Sequence, residues 1–324
     1  MKAATAAAPQ PQEEVTLDEG TVVGAMEAPI RAMVYAEAGL GKTTFAANAP
    51  KPYFLDLEKG SRRFAGVARY FPESWKDMLA RVERVAVAKH DYQTLVIDTL
   101  DAAEMMLWEL ICQDAGVTSI EKVGGGFGKG FSEAIPQWRT LLYALERLQD
   151  RREMSVLLLA HSAIKAFHDP MGTSYDRYLP RLNVMAAGLI EQWCDDVLFA
   201  RLDTVVKEDK RTKRVKGTSS EIRVVYTRPN AAWYAKCRSN LPETLPLDWS
   251  EYAAALASAV PADPDELIEA IAENAKRLPE DMQKQTAESL KRCGKDATKL
   301  AQLDNWVRCK VPPKDEPASS NVAG

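Results

Sequence analysis

The chain has 324 residues, 46% hydrophobic and 27% charged, the balance of a soluble globular protein with about two domains' worth of length. Its longest apolar runs, such as 185–190, fall far short of the ~18 residues a membrane span needs, and residues 3–12 lack the basic-then-apolar pattern of a secretory leader. Cys112, Cys194, Cys237, Cys293 and Cys309 form no CxxC pair, which excludes a disulfide framework or zinc scaffold and points to a reducing cytosol.

Net charge is −4, unevenly divided: −4 over residues 1–29, +3 over 30–249 and −3 over 250–324. A mildly basic body lies between two acidic ends, so total charge decides nothing about partners.

Residues 1–28, rich in Ala, Pro, Gln and Glu, are expected to form a flexible acidic tail. From residue 30, apolar runs at 32–35, 53–57, 94–97, 155–160, 197–200, 222–226 and 233–235 alternate with helical patterns at 42–48, 75–86, 102–114, 132–151 and 183–193. Short apolar runs separated by helices predict an α/β fold, a mostly parallel sheet flanked by helices on both faces. The strands after 197, with no helix between them, predict an antiparallel edge. Pro246, Pro261 and Pro264 surround one short helix, and residues 251–263 read as a linker.

Asp263-Pro264-Asp265-Glu266 then opens a helix with a cap, a proline at the first position and an acid at the third. Helices at 279–293 and 296–308 follow, the latter with Leu300, Leu303, Trp306 and Val307 on one face. The expected layout is a tail (1–28), a core (29–250), a linker (251–263), a small C-terminal helical appendage (264–310) and a second flexible tail (311–324), without internal repeats.

Ala36-Glu37-Ala38-Gly39-Leu40-Gly41-Lys42-Thr43-Thr44 follows an apolar run and opens a helix, the setting in which backbone N–H groups converge on a phosphate. Gly41 permits close approach, Lys42 reaches the β- and γ-phosphates, and the Thr43 hydroxyl holds Mg2+. Ala36 stands where the pattern has its first glycine, a substitution tolerable at negative φ. The chain is therefore expected to bind a nucleoside triphosphate, taken as ATP.

The run 95–97 ends in Asp98, a strand-end carboxylate beside the loop that would hold Mg2+ through water. Thr99 follows, so the Asp-Glu pair by which the AAA+ class activates water is not present and a base must come from elsewhere. Glu58, at the carboxyl end of the strand that follows the P-loop helix, is the candidate base or orienter of the attacking water. The alternative is a solvated strand-end acid.

A P-loop, a strand ending in Asp56-Leu57-Glu58 and a plain Asp98-Thr99, in that order, resemble the RecA-type ATPase core over about residues 30–250. Within it the chain resembles the phage-encoded nucleotide-binding proteins of the Sak-type single-strand annealing recombinase group. The resemblance implies a RecA-like P-loop NTPase core and DNA-dependent hydrolysis of ATP to ADP and phosphate. It also implies that His161, after the run 155–160, senses the γ-phosphate; the alternative is a hydrogen-bonded core histidine.

At Ala235-Lys236-Cys237-Arg238, alternation puts Lys236 and Arg238 on one side of a ribbon. In RecA-like filaments and hexameric helicases such a pair reaches the neighbouring subunit's ATP site, and cationic fingers of this kind contribute ~10³–10⁵ in turnover. The resemblance thus implies a ring or filament with hydrolysis at subunit interfaces; the alternative is a solvated basic pair.

Three segments are candidates for single-stranded DNA. Residues 122–131 interleave Lys122 and Lys129 with Phe127 and Phe131 among five glycines, suited to base stacking. Residues 165–181, directly after His161, carry Lys165, Arg177 and Arg181. The basic run 207–216 reads as a hairpin tip, where charge also blunts a sheet edge.

The leading expectation is a phage-type, ATP-dependent recombinase or annealing protein that acts as an oligomer in the host cytoplasm beside a single-strand-binding protein, without a membrane. The alternatives are a ring helicase, disfavoured by the lack of an N-terminal assembly domain, and a P-loop switch that regulates a protein partner without DNA. A small-molecule kinase fits worst, since no Arg-rich lid follows the P-loop.

Overall fold

The computed structural model describes residues 28–170, 172–208, 215–259 and 264–310. Its elements begin with β1 (Arg31–Ala36), α1 (Lys42–Ala47), β2 (Pro52–Asp56), β3 (Ala68–Tyr70), α2 (Trp75–Val87), β4 (Thr94–Asp98) and α3 (Leu100–Ala115). They continue with α4 (Lys129–Arg152), β5 (Ser155–Phe167), β6 (Tyr175–Pro180), α5 (Val184–Trp193), β7 (Asp196–Glu208) and β8 (Val215–Tyr226). The described chain closes with β9 (Lys236–Cys237), β10 (Thr244–Pro246), α6 (Trp249–Ala259), α7 (Pro264–Ala275), α8 (Glu280–Cys293) and α9 (Ala297–Lys310).

A strand covered on both faces must be apolar at successive positions rather than alternate ones. Ala32 to Ala36 in β1, Leu95 to Ile97 in β4 and Val156 to Ala160 in β5 satisfy this, each at 1% exposure or less. The result is one sheet in the order β10-β8-β7-β1-β5-β4-β2-β3, with β6 added to β5 and β9 to β7. β7, β1, β5, β4, β2 and β3 run parallel, while β8, β10, β9 and β6 pair antiparallel to their neighbours.

Alternate residues feed two cores. Met33, Tyr35, Leu55, Leu95, Ile97, Val156 and Leu158 pack with α2, α3, α4 and α5. Ala32, Val34, Phe54, Val96, Leu157 and Leu159 pack with Phe45 of α1 and Trp249 and Tyr252 of α6. This is the α/β architecture predicted from the runs, antiparallel edge included. The last three helices have a cluster of their own, with Leu267, Ile271, Leu278, Leu300 and Val307 buried.

Three features depart from the sequence expectations. The run 155–160 does not stop before His161: β5 continues to Phe167 because β6 returns antiparallel, from Ser162 opposite Pro180 to Phe167 opposite Tyr175. The run 233–235 is not a strand. Trp233 makes an isolated bridge to Tyr178 and lies against the rings of Phe199 and Tyr226, while Lys236 and Cys237 pair with β7 instead.

Most of the segment read as a linker is α6, a packed element. Trp249 meets Phe45 edge-on at 5.5 Å, and the Tyr252 hydroxyl donates to buried Asp196 at 3.0 Å. Residues 260–263, both tails and the tip of the 207–216 hairpin lie outside the described residues; the flanking pairs are Lys207 opposite Lys216 and Glu208 opposite Val215.

If α6 belongs to the core, Trp249→Ala should remove about 3 kcal/mol from the main unfolding transition in a denaturant titration. An unshifted midpoint would return the segment to linker status.

Candidate nucleotide site

β1 ends at Ala36 in mid-sheet, and the loop 37–41 carries the chain into α1. Gly41 is the position where glycine is required: its φ is +115°, a conformation side chains rarely adopt. Lys42 is 5% exposed, and its ammonium donates to the carbonyls of Ala36 (3.2 Å) and Glu37 (3.0 Å), folding back along the loop. Burial lowers its pKa, against the pull of Asp98, Asp101 and Glu58. Leu40 anchors the loop in the core, and Ala38, Gly39 and Thr44 complete its run to the helix.

The Thr43 hydroxyl donates to Asp98 Oδ2 at 2.8 Å, joining the start of α1 to the end of β4. Asp98 is 3% exposed, and burial pushes its carboxyl up to about 6, with Asp56 and Glu58 adding to the rise. A hydroxyl and a carboxylate in contact, the latter short of counter-charge, are hard oxygen donors that fit Mg2+.

Glu58 lies just past the end of β2, where its Oε1 accepts from the Thr99 hydroxyl at 3.2 Å and lies 3.6 Å from His161 Nδ1. Its motif neighbour Asp56 is fully buried and accepts from the Gly60 and Ser61 N–H groups and the Ser61 hydroxyl. The two acids thereby take different roles, Asp56 shaping the turn while Glu58 remains at the site.

His161 is held by Asp101 in the first turn of α3. One carboxylate oxygen accepts the His161 backbone N–H and the other meets Nδ1, both at 2.9 Å. Burial raises the Asp101 carboxyl, but the bonds and charge of His161 outweigh it and hold it below the usual carboxylate range. An ionised carboxylate only accepts, so Nδ1 carries the proton and Nε2 is the nitrogen left for a ligand. Ligand atoms of Glu58, Asp101 and His161 lie within 4.8 Å of one another.

The Lys236–Arg238 pair divides. Lys236 donates to the carbonyls of Glu191, Gln192 and Cys194, capping the C-terminus of α5. Arg238 is 57% exposed in its side chain and pairs with Asp195 at 3.3 Å. Its turn is pinned by Asp196, which accepts from the N–H groups of Arg238 and Ser239 and from the Ser239 hydroxyl.

Among the DNA candidates, Phe127 is wholly exposed, and Lys122 and Lys129 are exposed as well. Phe131 turns inward, edge-on to Trp108 at 5.3 Å, and Gly130 packs against the Ile120 carbonyl too closely for any side chain. Lys165 donates to the Leu182 carbonyl, and Arg177 donates to those of Asn230 and Trp233. Arg181 is exposed, its N–H bonds the His161 carbonyl at 2.7 Å, and its charge bears on Lys42 and Asp101.

Sequence reading missed Thr99 and Asp101. An acid in the first turn after the Asp98 strand was the available signal for Asp101, since that turn must pass the end of β5.

A phosphate loop on the central strand, with the Asp98 strand removed from it by one intervening strand, defines a P-loop nucleoside triphosphatase core. The sequence pattern of a family described as an AAA domain matches residues 28–239, and the chain belongs to that family. It is 31% identical over 99 residues to the SPbeta prophage-derived uncharacterized protein YorG of Bacillus subtilis (strain 168). That alignment spans 29% of this chain and 31% of the length of YorG. The crystal structure of the RadB recombinase matches with a TM-score of 0.35 at 14% identity, over 61% of this chain and 80% of that one, a likeness too slight to decide function. Among the described residues, no helix is long and apolar enough to cross a membrane.

One turn beyond Asp101, Glu104 is 4% exposed and accepts the Asn183 N–H with both oxygens, at 3.0 and 2.9 Å. Burial pushes its pKa up to about 7, with Asn183 and Lys165 opposing and Asp101 adding to the rise. A carboxyl with a higher pKa in the fold than in the unfolded chain takes up a proton on folding. Its contribution is full below the unfolded value of ~4.3 and is lost as pH rises through the folded one. Glu104→Gln should therefore flatten the loss of stability between pH 5 and 7.5 by on the order of 1–3 kcal/mol. Denaturant midpoints of both proteins across that range check it; parallel curves would refute it.

Proposed function

We propose that this chain is an ATPase that binds single-stranded DNA as an oligomer and promotes annealing or strand exchange, hydrolysing ATP where subunits meet. The observation that carries the proposal is the continuity of β5. His161, in register with Ala36 at the mouth of the P-loop, lies on the same strand that runs out into the β5–β6 hairpin. The returning leg bonds back to it through the Arg181 N–H. A change at the phosphate site thus has a direct backbone route to the hairpin, whose strand ends carry Phe167 and Tyr175 with ring centroids 5.3 Å apart.

In this reading Lys42 leaves the carbonyls of Ala36 and Glu37 for the β- and γ-phosphates. Thr43 and Asp98 hold Mg2+, which when bound offsets the charge of the triphosphate. Glu58, free of the turn that occupies Asp56, takes the proton of the attacking water. His161 has only Nε2 to offer, and a protonated ring donates through it to a phosphate oxygen. Arg238, rather than the capped Lys236, is the cation available to a neighbouring subunit's site. Phe127, Lys122 and Lys129 form the second DNA surface. The prophage-derived relative supports a phage origin; annealing in a bacterial host's cytoplasm is part of the proposal, and the helices α7, α8 and α9 are the proposed contact for a single-strand-binding protein.

A second reading, a P-loop ATPase switch acting on a protein partner, is favoured by one observation. Lys165 and Arg177 are committed to backbone carbonyls and offer little charge to phosphates.

The test is ATP turnover with and without single-stranded DNA for the wild type, Lys42→Ala, Glu58→Gln and Arg238→Ala. Stimulation by DNA is expected, with each substitution lowering turnover ~10²-fold or more. Mixing Lys42→Ala with Arg238→Ala should restore part of the activity, because one partner supplies the intact loop and the other the intact arginine. Turnover indifferent to DNA and to Arg238 would transfer the protein to the switch reading.

A further inference from the structure

We propose that Arg223 is a phosphate-holding residue of the nucleotide site, supplied by edge strand β8 of the same chain and directed at the phosphates common to ATP and ADP. The inference rests on the nucleotide-binding reading above and adds to it a residue outside the P-loop and distinct from the intersubunit Arg238.

Alternation along β8 puts Arg223 on the same face as Val225, which is 2% exposed and packed in the cluster that holds Phe45 of α1. The side chain therefore leaves the sheet on the P-loop side. Its main chain is fixed from two directions: Arg223 is in register with Leu202 of β7, and its carbonyl accepts the Leu247 N–H at 3.0 Å.

The guanidinium then lies across the loop. A Cβ built on Gly41 would come within 2.9 Å of Arg223 Nη1, 3.6 Å of Cζ and 3.8 Å of Cδ. Of the P-loop's two glycines, Gly39 meets nothing within 4 Å, so the approach is specific to Gly41. Gly41 is thus needed for its positive φ, and the end of the arginine lies in the space that its missing side chain leaves.

What the arginine lacks is an anion. Its side chain is exposed, and among the described residues no carboxylate or carbonyl pairs with its guanidinium, unlike Arg31, Arg147, Arg177 and Arg238. A cation held against a loop whose N–H groups cradle phosphate, without an internal partner, suits a ligand that brings the negative charge. Gly41 belongs to the glycine-rich part of the loop that cradles the α- and β-phosphates, whereas Lys42 reaches the β and γ. Arg223 therefore meets phosphates that remain after hydrolysis. Its planar fork can engage two oxygens at once, which a lysine cannot reproduce.

The experiment measures affinities for Mg2+-ATP and Mg2+-ADP in parallel by fluorescent-nucleotide displacement, with melting temperatures of the nucleotide-free proteins. Arg223→Ala should weaken both nucleotides about tenfold or more, as loss of a charge-assisted contact does. Arg223→Lys should recover only part of that, and neither variant should shift the nucleotide-free melting temperature. Arg151→Ala, an exposed arginine in the last turn of α4, should leave both affinities unchanged. Unaltered affinity in Arg223→Ala, a loss confined to ATP, or an equal loss in Arg151→Ala would each overturn the assignment. A wild-type protein that binds neither nucleotide would overturn the nucleotide reading itself, and Arg223 with it.

Discussion

The register of four parallel strands governs this molecule. β1 and β5 pair so that Ala36 stands opposite His161, β5 and β4 so that Asp98 stands opposite Leu159, and β2 and β4 so that Asp56 stands opposite Asp98. A slip of one residue would turn every side chain of a strand to the other face and move its end away from the loop. Because these strands are apolar on both sides, hydrophobic alternation alone cannot hold that register. Polar anchors at the strand ends can. Tyr35, fully buried, satisfies its hydroxyl on the carbonyls of Tyr178 and Tyr234, at 3.2 and 2.5 Å. At the opposite end of β1, Gln149 accepts from Arg31 at 2.6 Å and donates to the Pro29 and Ile30 carbonyls. A buried hydroxyl or amide without a partner costs on the order of 1–3 kcal/mol, so any other alignment of β1 carries that penalty at both ends.

Once the strand ends are level, four acids crowd around one lysine, and their partners give them different work. Asp56 is saturated by the turn it shapes, Asp101 is ionised and holds His161, Asp98 is buried with a hydroxyl, and Glu58 stays accessible. Burial raises the Asp98 carboxyl most, and the like charges of Asp56 and Glu58 add to the rise. The site thus separates an acid suited to a metal from one suited to accept a proton by partner and exposure rather than by residue type.

Much of this was legible because its signals are contiguous. The P-loop occupies nine consecutive residues, Asp98 ends an uninterrupted apolar run, and Glu58 follows another, so each candidate sits where its local pattern ends. What was not legible depends on partners distant in sequence. β5 continues past His161 only because β6 returns to pair with it. Residues around Pro246 and Pro261 look like a linker until Trp249 and Tyr252 find Phe45 and Asp196. Lys236 and Arg238 are equivalent by alternation, yet α5 ends beside the first and leaves the second exposed. The Lys122–Phe131 segment reads as one run of stacking residues, but a helix start at Lys129 turns Phe131 onto Trp108 and leaves Phe127 outside.

Asp196 shows how far the parts of the site are free to move. It is fully buried at the start of β7, and its two oxygens accept from the turn that carries Arg238 and from Tyr252 of α6. Tyr252 in turn packs on Phe45, three residues beyond Lys42. A buried carboxylate with every acceptor position engaged is costly to rearrange, because each bond broken leaves an unpaired polar group out of water. The turn that carries Arg238 and the P-loop helix are therefore held as a unit. In the proposed function, a response to nucleotide comes from what this network does not hold: the Arg181 and Arg223 side chains, Glu58, and the outer part of the β5–β6 hairpin. In the proposed assembly the rigid unit fixes where a neighbour presents its arginine, and the untethered groups decide what the bound phosphates change.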